Sequence, residues 1–208
     1  FVVDGAVGIA AADEPWTPAR LVRTRVFWMI ALGMGLGFGT VSGWSVHLAP
    51  YVQDLGGSTQ WSGTLVALAQ GVAIVGAVGG GMLAERRSSA SVLVAILVVL
   101  VCCLGVYLAQ PGLVVVSALI VVFGMVSGGA MPVYSLLLTQ RFGPTAVGTA
   151  LGLSNLCLLP FGVAMPVLGG FLHDRQGDYL GMITVCALAL SLAAVLLAAA
   201  GRSEARAR

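Results

Sequence analysis

The chain has 208 residues, of which 59% are hydrophobic and only 9% are charged, and its formal net charge is +2. A soluble domain carries roughly 25% charged residues because its surface faces water, so this composition excludes an ordinary soluble protein. A helix needs about 20 apolar residues to cross a bilayer. The weakly charged segments that reach about this length are 26–49, 61–83, 91–109, 113–138, 145–172 and 179–200.

These segments are predicted to be helices, because lipid cannot satisfy the hydrogen-bonding groups of an open backbone. A β-barrel would instead show alternating segments of about ten residues. The predicted fold class is therefore an all-α integral membrane protein, with six transmembrane helices forming one bundle over 26–200. Residues 1–25 are predicted to be a cytoplasmic loop or the remnant of a preceding segment, and 201–208 a cytoplasmic basic tail.

The ten basic residues are all Arg, and their positions predict the orientation of the bundle. Nine of them lie before the first span or after the second, fourth and sixth, and only Arg175 lies at the other end. Basic residues are enriched in cytoplasmic loops, so we expect a multi-pass protein of the cell (plasma) membrane with both termini in the cytoplasm. The basic tail is then a topology signal, and no nucleic-acid partner is expected.

An internal repeat relates the first three spans to the last three. The sequence Phe-Gly-Thr-Val-Ser-Gly at 38–43 returns as Phe-Gly-Met-Val-Ser-Gly at 123–128, and the Gly-Gly pair that opens 80–86 returns at 169–175. Because three is an odd number, the two copies cross the membrane in opposite directions, as in the 3+3 inverted repeats of secondary transporters. The predicted repeat units are 26–109 and 113–200.

The spans also differ in polarity. The third and sixth are nearly all aliphatic, whereas the other four carry the glycines, prolines, amides and hydroxyls. Helices that face lipid can be plain, and helices that line a cavity or slide past partners need small and polar residues. We therefore expect the third and sixth spans to be the most exposed to lipid, and the other four to surround a cavity.

No Asp, Glu, Lys or Arg lies inside the apolar part of a span, so neutral side chains are the candidates for substrate binding. Gln70 and Asn155 lie about ten residues into their spans, near the midplane where transporters bind their substrates. The alternative is that each makes an interhelical hydrogen bond that only holds the bundle together. Further candidates are Ser127, Tyr134 and Trp44, the last of which is also typical of an interfacial aromatic.

Other residues predict a proton site and a close helix contact. His47 lies at the outer end of the first span and titrates near neutral pH, either as a possible proton site or as a solvated residue at the headgroups. Gly35, Gly39 and Gly43 recur every four residues, which predicts the close approach of another helix, as a sliding gate or as static packing. The four cysteines lie inside spans without metal-ligand spacing, so no metal, cofactor or disulfide is expected.

Several segments resemble a known family. The loop motif G-x-L-A-D-R-x of the major facilitator superfamily is similar to the segment Gly81-Met82-Leu83-Ala84-Glu85-Arg86-Arg87. The seventh helix of its monocarboxylate and oxalate carrier-like branch is similar to 25–28, 47–50 and 54–56. Its later helices are similar to 142–143, 148–152 and 169–174.

The resemblance covers about residues 20–200 and implies helices seven to twelve of a twelve-helix carrier. It implies the C-terminal half of a secondary active transporter that moves a small solute by alternating access. The implied partners are the lipid bilayer, the solute, and a missing N-terminal six-helix bundle or a second copy. The implied gating residues are those of the loop motif, whose charges pair with neighbouring helices in the family: Gly81, Leu83, Glu85 and Arg86.

Some features depart from this pattern or leave alternatives open. Ala77 stands where carboxylate carriers of the branch often have Arg, so a carboxylate substrate is not supported, and Glu85 replaces the usual Asp. Glu85 and Arg86 are alternatively two solvated loop charges of little energetic effect. Because the chain begins with Phe1 we expect a fragment, although a chain shortened for another reason would look the same.

Two other classes of function compete with the transporter. A truncated or non-transporting membrane scaffold, or a half-carrier that works only as a dimer, would show the same six spans. A membrane enzyme would need clustered acids, a His pair or a Ser/Lys dyad at the membrane surface, and none is present in the sequence. No catalytic residues are therefore predicted.

Overall fold

The computed structural model describes residues 16–205, with side chains described for 16–202, and this part of the chain is helical without any strand. The predictions for 1–15 and for the end of the basic tail lie outside the described residues. The helices are α1 (Pro18–Arg23), α2 (Arg25–Asp54), α3 (Thr59–Arg86), α4 (Ser89–Leu108), α5 (Leu113–Gly128), α6 (Ala130–Phe142), α7 (Val147–Gln176) and α8 (Leu180–Ala205).

Six helical segments are long and apolar enough to cross a membrane, with α5 and α6 together forming the fourth of them. The prediction of an all-α protein with six membrane-spanning helices is confirmed. The spans extend a few residues beyond the predicted apolar segments, because the helices continue into their polar ends.

The fourth span is interrupted after Gly128, so that α5 ends and α6 begins around Gly129. Pro132 lies in the first turn of α6 and has no N–H to donate to the carbonyl of Gly128, which favours a break at this point. The sequence predicts one uninterrupted helix over this span. The structure adds a break near its middle.

A short turn connects α7 to α8. Gly177 ends α7 with a φ of +74°, in the left-handed region that favours glycine. The Asp178 carboxylate then accepts a hydrogen bond from the Leu180 N–H at 3.0 Å and so caps the start of α8. This turn places the Tyr179 side chain between the ends of the helices, where it is 5% exposed.

The helix pairs follow the symmetry of the internal repeat. Helix α2 packs along α7, α3 packs along α5, and α4 packs along α8. Exchanging the first three spans with the last three turns the α2–α7 pair into the α5–α3 pair and leaves the α4–α8 pair unchanged. This pairing is what a 3+3 repeat requires, while the unit boundaries at 26–109 and 113–200 stay a prediction.

The most accessible helices of the isolated chain are not the ones that the sequence predicts to face lipid. In α3 and α7, 11% and 17% of the most hydrophobic stretch is buried, against 39% in both α4 and α8. In the isolated chain the third and sixth spans are thus less accessible than the second and fifth, and the expectation that they are the most exposed to lipid stays a prediction. Helices α4 and α8 bury faces against each other, whereas α3 and α7 each leave one long face without a neighbour in the described residues.

Candidate functional site

A small cavity of about 60 Å³ lies between α2, α3 and α5. It brings together three of the predicted substrate-binding residues, since Trp44, Gln70 and Ser127 all line it. A water molecule occupies about 30 Å³ in the liquid, so the space admits a few waters or a small part of a solute. Its polar groups are one carboxamide and hydroxyls among apolar walls, an arrangement suited to orienting a neutral polar ligand.

Gln70 and Asn155 lie on the exposed faces of α3 and α7. Neither carboxamide has a hydrogen-bond partner among the described residues, so neither holds two helices together within this chain. Asn155 does not line the small cavity. That both residues face one central cavity therefore stays a prediction.

Ser127 lies at the end of α5, and its hydroxyl donates a hydrogen bond to the Gly124 carbonyl of the same helix at 3.1 Å. A serine hydroxyl bonded in this way still has a lone pair free to accept from a ligand. One and two turns further along the span, Met131 is 42% exposed and Tyr134 is fully buried.

Tyr134 lies outside the cavity and connects α6 to α7. Its hydroxyl donates a hydrogen bond to the Ser154 hydroxyl. Ser154 in turn donates to the carbonyls of Ala150, at 2.7 Å, and Leu151, at 3.1 Å. Both side chains are fully buried, so in this conformation Tyr134 is an interhelical contact rather than a residue of an open cavity.

Trp44 is 1% exposed, and its indole N–H is buried without a hydrogen-bond partner in the described part of the chain. Its ring packs against those of Tyr51 and Tyr107, with centroids 5.4 and 4.9 Å away. An interfacial aromatic faces lipid headgroups, so that interpretation of Trp44 is wrong. The residue forms a wall between the small cavity and the tyrosine cluster at the end of the bundle.

His47 is half-buried against α7 rather than solvated. Its Nε2 lies 2.9 Å from the Pro166 carbonyl oxygen, and because a carbonyl only accepts, Nε2 carries the proton of this bond. Its ring also packs against the backbone at Gly169. His47 thus joins α2 to α7 at the end of the bundle where the sequence placed a possible proton site.

Ser42 is a contact residue that the sequence analysis missed. Its hydroxyl donates to the Gly162 carbonyl at 3.3 Å. Pro166 follows Gly162 by one helical turn and has no N–H, so this carbonyl has no partner within α7. The signal was present in the sequence as the pairing of a midspan proline with a serine on the facing glycine-rich helix.

The glycine stripe of α2 faces α7 as predicted. A Cβ atom added at Gly39 would lie 2.7 Å from the Phe161 carbonyl oxygen, and one at Gly43 would lie 3.1 Å from the Cβ of Met165. The equivalent glycine of the second repeat, Gly124, would place a Cβ 2.6 Å from the Ala69 carbonyl oxygen on α3. The predicted close approach of the helices is confirmed at both places, and its use as a sliding gate stays a prediction.

The loop-motif residues lie at the end of α3. Leu83, Glu85 and Arg86 are exposed, and a Cβ at Gly81 would meet nothing within 4 Å. Among residues 16–205, neither Glu85 nor Arg86 has an ion-pair partner. Within this chain alone the two charges are solvated, which is the alternative that the sequence left open.

Comparison with known proteins assigns these helices to a family. The sequence profile described as Major Facilitator Superfamily matches residues 4–159, which is more than half of the chain and includes the small cavity and the loop motif. No curated protein sequence matches the chain.

Proposed function

Because the chain belongs to the Major Facilitator Superfamily, we propose that it is one six-helix half of a secondary transporter that moves a small solute by alternating access. This superfamily consists of membrane transporters, which points away from enzyme activity. The proposal adds to the family assignment that the chain is a half-carrier, specifically the C-terminal half. Its loop motif and its six spans support this reading.

The observation that carries the proposal is the long exposed face on each of α3 and α7. On α3, Ile74 and Val75 are 68% and 64% exposed, and on α7, Val163 and Val167 are 66% and 67% exposed. Each face also carries a carboxamide, Gln70 or Asn155. In lipid an unpaired carboxamide is unfavourable, so a second six-helix bundle placed against this side would bury both faces and enclose the amides.

The proposed partner is an N-terminal six-helix bundle, with a second copy of the chain as the other possible occupant. Substrate would then bind between the two bundles, near Gln70, Asn155, Ser127 and Trp44, and rocking of the bundles would expose it to one side at a time. Helices α4 and α8 would become the lipid-facing supports. If the purified chain is monomeric in detergent and forms a complex only when the N-terminal half is added, the result supports the N-terminal bundle as the partner. A stable dimer of the chain would support the second copy.

The test of the substrate site uses the complete carrier. Asn155→Leu and Gln70→Leu should each raise the apparent KM for transport, because each removes a hydrogen bond to the solute of about 1 kcal/mol, or about fivefold. Thr184→Val is the matched control, since its hydroxyl bonds only to its own helix at Leu180. If Asn155→Leu lowers the melting temperature but leaves transport per folded molecule unchanged, the residue holds helices together and the site assignment is wrong.

The proposed orientation places both termini and the loop after α3 in the cytoplasm of a plasma-membrane protein. The distribution of the arginines supports it. Single cysteines in the 84–90 and 173–178 loops, on a background without the four native cysteines, would be treated with an impermeant thiol reagent on intact cells. The second loop should be labelled and the first should not.

A further inference from the structure

We propose that the chain contains a second binding site, for a small organic cation of the alkylammonium class, in a cavity where α2, α4 and the α7–α8 turn meet. The cavity has a volume of about 380 Å³ and shares no lining residue with the small cavity beside Gln70. It lies at the end of α3 opposite to the Glu85–Arg86 loop. The residues that the argument uses are Tyr51, Asp54, Tyr107, Gln110, Asp178 and Tyr179.

Three tyrosine rings form the apolar walls of the cavity. The ring of Tyr51 stands nearly perpendicular to that of Tyr179, at 85° and 5.5 Å between centroids, and to that of Tyr107, at 78° and 5.9 Å. All three side chains are at most 7% exposed. The faces of aromatic rings carry negative charge density and attract cations, alkylammonium groups in particular.

The charges around the cavity have one sign. Asp54 and Asp178 both line it, and no Arg or Lys is among its lining residues. One oxygen of Asp178 accepts from the N–H of Leu180, which leaves its second oxygen available. An anionic ligand would meet two carboxylates, so the lining selects for positive charge.

The helix ends add to this negative potential. The C-terminal ends of α2, α4 and α7, at Asp54, Leu108 and Gln176, lie at this end of the bundle together with the N-terminal ends of α3, α5 and α8. Of these N-termini only that of α8 lines the cavity, and the Asp178 carboxylate caps it. The C-terminus of a helix carries unpaired carbonyls and about half a negative charge. In agreement with a negative field, burial raises the pKa of the Tyr179 hydroxyl and the carboxylates of Asp54 and Asp174 raise it further.

A buried polar group at the cavity lacks a partner. The side chain of Tyr107 lines the cavity with 0% exposure, and its hydroxyl, which has the Trp44 indole N–H as a polar neighbour, makes no hydrogen bond of good geometry among the described residues. A buried hydroxyl without a partner is unfavourable, and the hydroxyl group of a ligand such as choline would supply a donor to its oxygen. The aromatic walls favour an organic cation over a hydrated metal ion, because an alkylammonium group gains from contact with ring faces.

The test measures binding to the chain in lipid nanodiscs by isothermal titration calorimetry, at constant sodium chloride. The probe is choline, and its neutral isostere 3,3-dimethyl-1-butanol is the control for size and hydrophobicity. Choline should bind at least about tenfold more tightly than the isostere, since only choline gains the cation–π and carboxylate contacts. Equal affinity for both, no binding of choline, or complete displacement by added sodium would overturn the proposal.

Variants locate the site. Asp54→Asn should weaken choline binding about tenfold, because the amide keeps the shape and loses the charge. Asp174→Asn is the matched control, since it removes a carboxylate at the same end that does not line the cavity, and it should weaken binding less than about threefold. Equal losses in the two variants would show only a general surface potential. If Asp54→Asn fails to fold, Tyr51→Phe, which keeps the ring, must retain binding while Tyr51→Leu loses it.

Discussion

Helix α2 and the α5–α6 span occupy equivalent places in the internal repeat, and both extend over 30 residues. Each approaches a neighbouring span through a pair of glycines four residues apart. Gly39 and Gly43 contact α7, and Gly124 and Gly128 contact α3. Both halves of the repeat therefore keep the glycine pair that allows the close helix contact.

Beyond the glycine pair the two spans diverge. Trp44 and His47 follow it in α2, whereas Gly129 and Pro132 stand at the equivalent positions of the fourth span. Helix α2 continues without a break to Asp54, while the fourth span divides into α5 and α6. Equivalent packing thus coexists with different backbone geometry, and a few residues after the shared pair account for the difference.

The serines of the shared motif also have different partners. Ser42 donates to the Gly162 carbonyl on α7, whereas Ser127 donates to a carbonyl of its own helix. Pro166 leaves the Gly162 carbonyl without an intrahelical partner, and α3 has Ala77 at the position equivalent to Pro166. Of these two serines, only the one that faces a carbonyl left unpaired by a proline bonds to another helix.

The largest loss of stability is expected from variants that disrupt the glycine contact shared by the two spans. Gly39→Ala and Gly124→Ala should each destabilise the chain by about 1–3 kcal/mol, because the added methyl would overlap the backbone of the facing helix. The measurement is the midpoint of thermal unfolding in detergent, followed by size-exclusion chromatography. Gly105→Ala on α4 is the control, since its Cβ would meet nothing within 4 Å. If only one of the two variants is destabilised, the two crossings are not equivalent.

Much of this was predictable from the sequence, and the limit has a physical reason. The six spans follow from hydropathy, and the close contact at Gly39 follows from the spacing of glycines on one helix face. The burial of Trp44 and the separation of Asn155 from the small cavity depend on the rotation of each helix about its axis. That rotation is set by packing against neighbouring helices. Because an apolar span carries similar residues on all its sides, its sequence does not show which side faces lipid and which faces protein.

The next largest loss of stability tests the different hydrogen-bond partners of Ser42 and Ser127. Ser42→Ala should destabilise the chain by about 0.6–1.7 kcal/mol, the range of hydrogen bonds between membrane helices. Pro166→Ala restores an N–H that can pair with the Gly162 carbonyl. In the Pro166→Ala variant, Ser42→Ala should therefore lower the free energy of unfolding by less than it does in the original chain. A double-mutant cycle on unfolding free energies measures this coupling. Ser127→Ala is the matched control with no interhelical bond to lose, and a cycle without coupling would refute the role assigned to Pro166.

A smaller effect is expected at the bond between α6 and α7. Tyr134→Phe removes the hydroxyl that donates to Ser154 and should cost about 0.6 kcal/mol, because Ser154 keeps its backbone acceptors. The equivalent residue in the first repeat is Ala49, so this bond belongs to the second repeat alone. Unfolding in a denaturant series would measure the loss. A cost near 3 kcal/mol would show that Tyr134 supports more of the bundle than this contact.

The smallest effect sharpens the contrast between an unbroken and a broken span. Pro132→Ala supplies an N–H that can pair with the Gly128 carbonyl, and it should stabilise the chain by a few tenths of a kcal/mol to about 1 kcal/mol. Amide hydrogen exchange should slow around Gly129, where the variant gains a helical turn. Pro50→Ala is the comparison, because Pro50 lies inside α2 without breaking it, and exchange should change only near that residue.

Two causes of the break are separable by this pair of variants. Pro132 removes a hydrogen bond, while a Cβ at Gly129 would lie 3.0 Å from the Gly76 carbonyl oxygen, so contact with α3 also constrains the backbone there. If the proline is the cause, Pro132→Ala alone makes the fourth span continuous and its exchange pattern approaches that of α2. If exchange around Gly129 is unchanged, the close contact with α3 holds the break, and the bend then belongs to the packing of the bundle rather than to one residue.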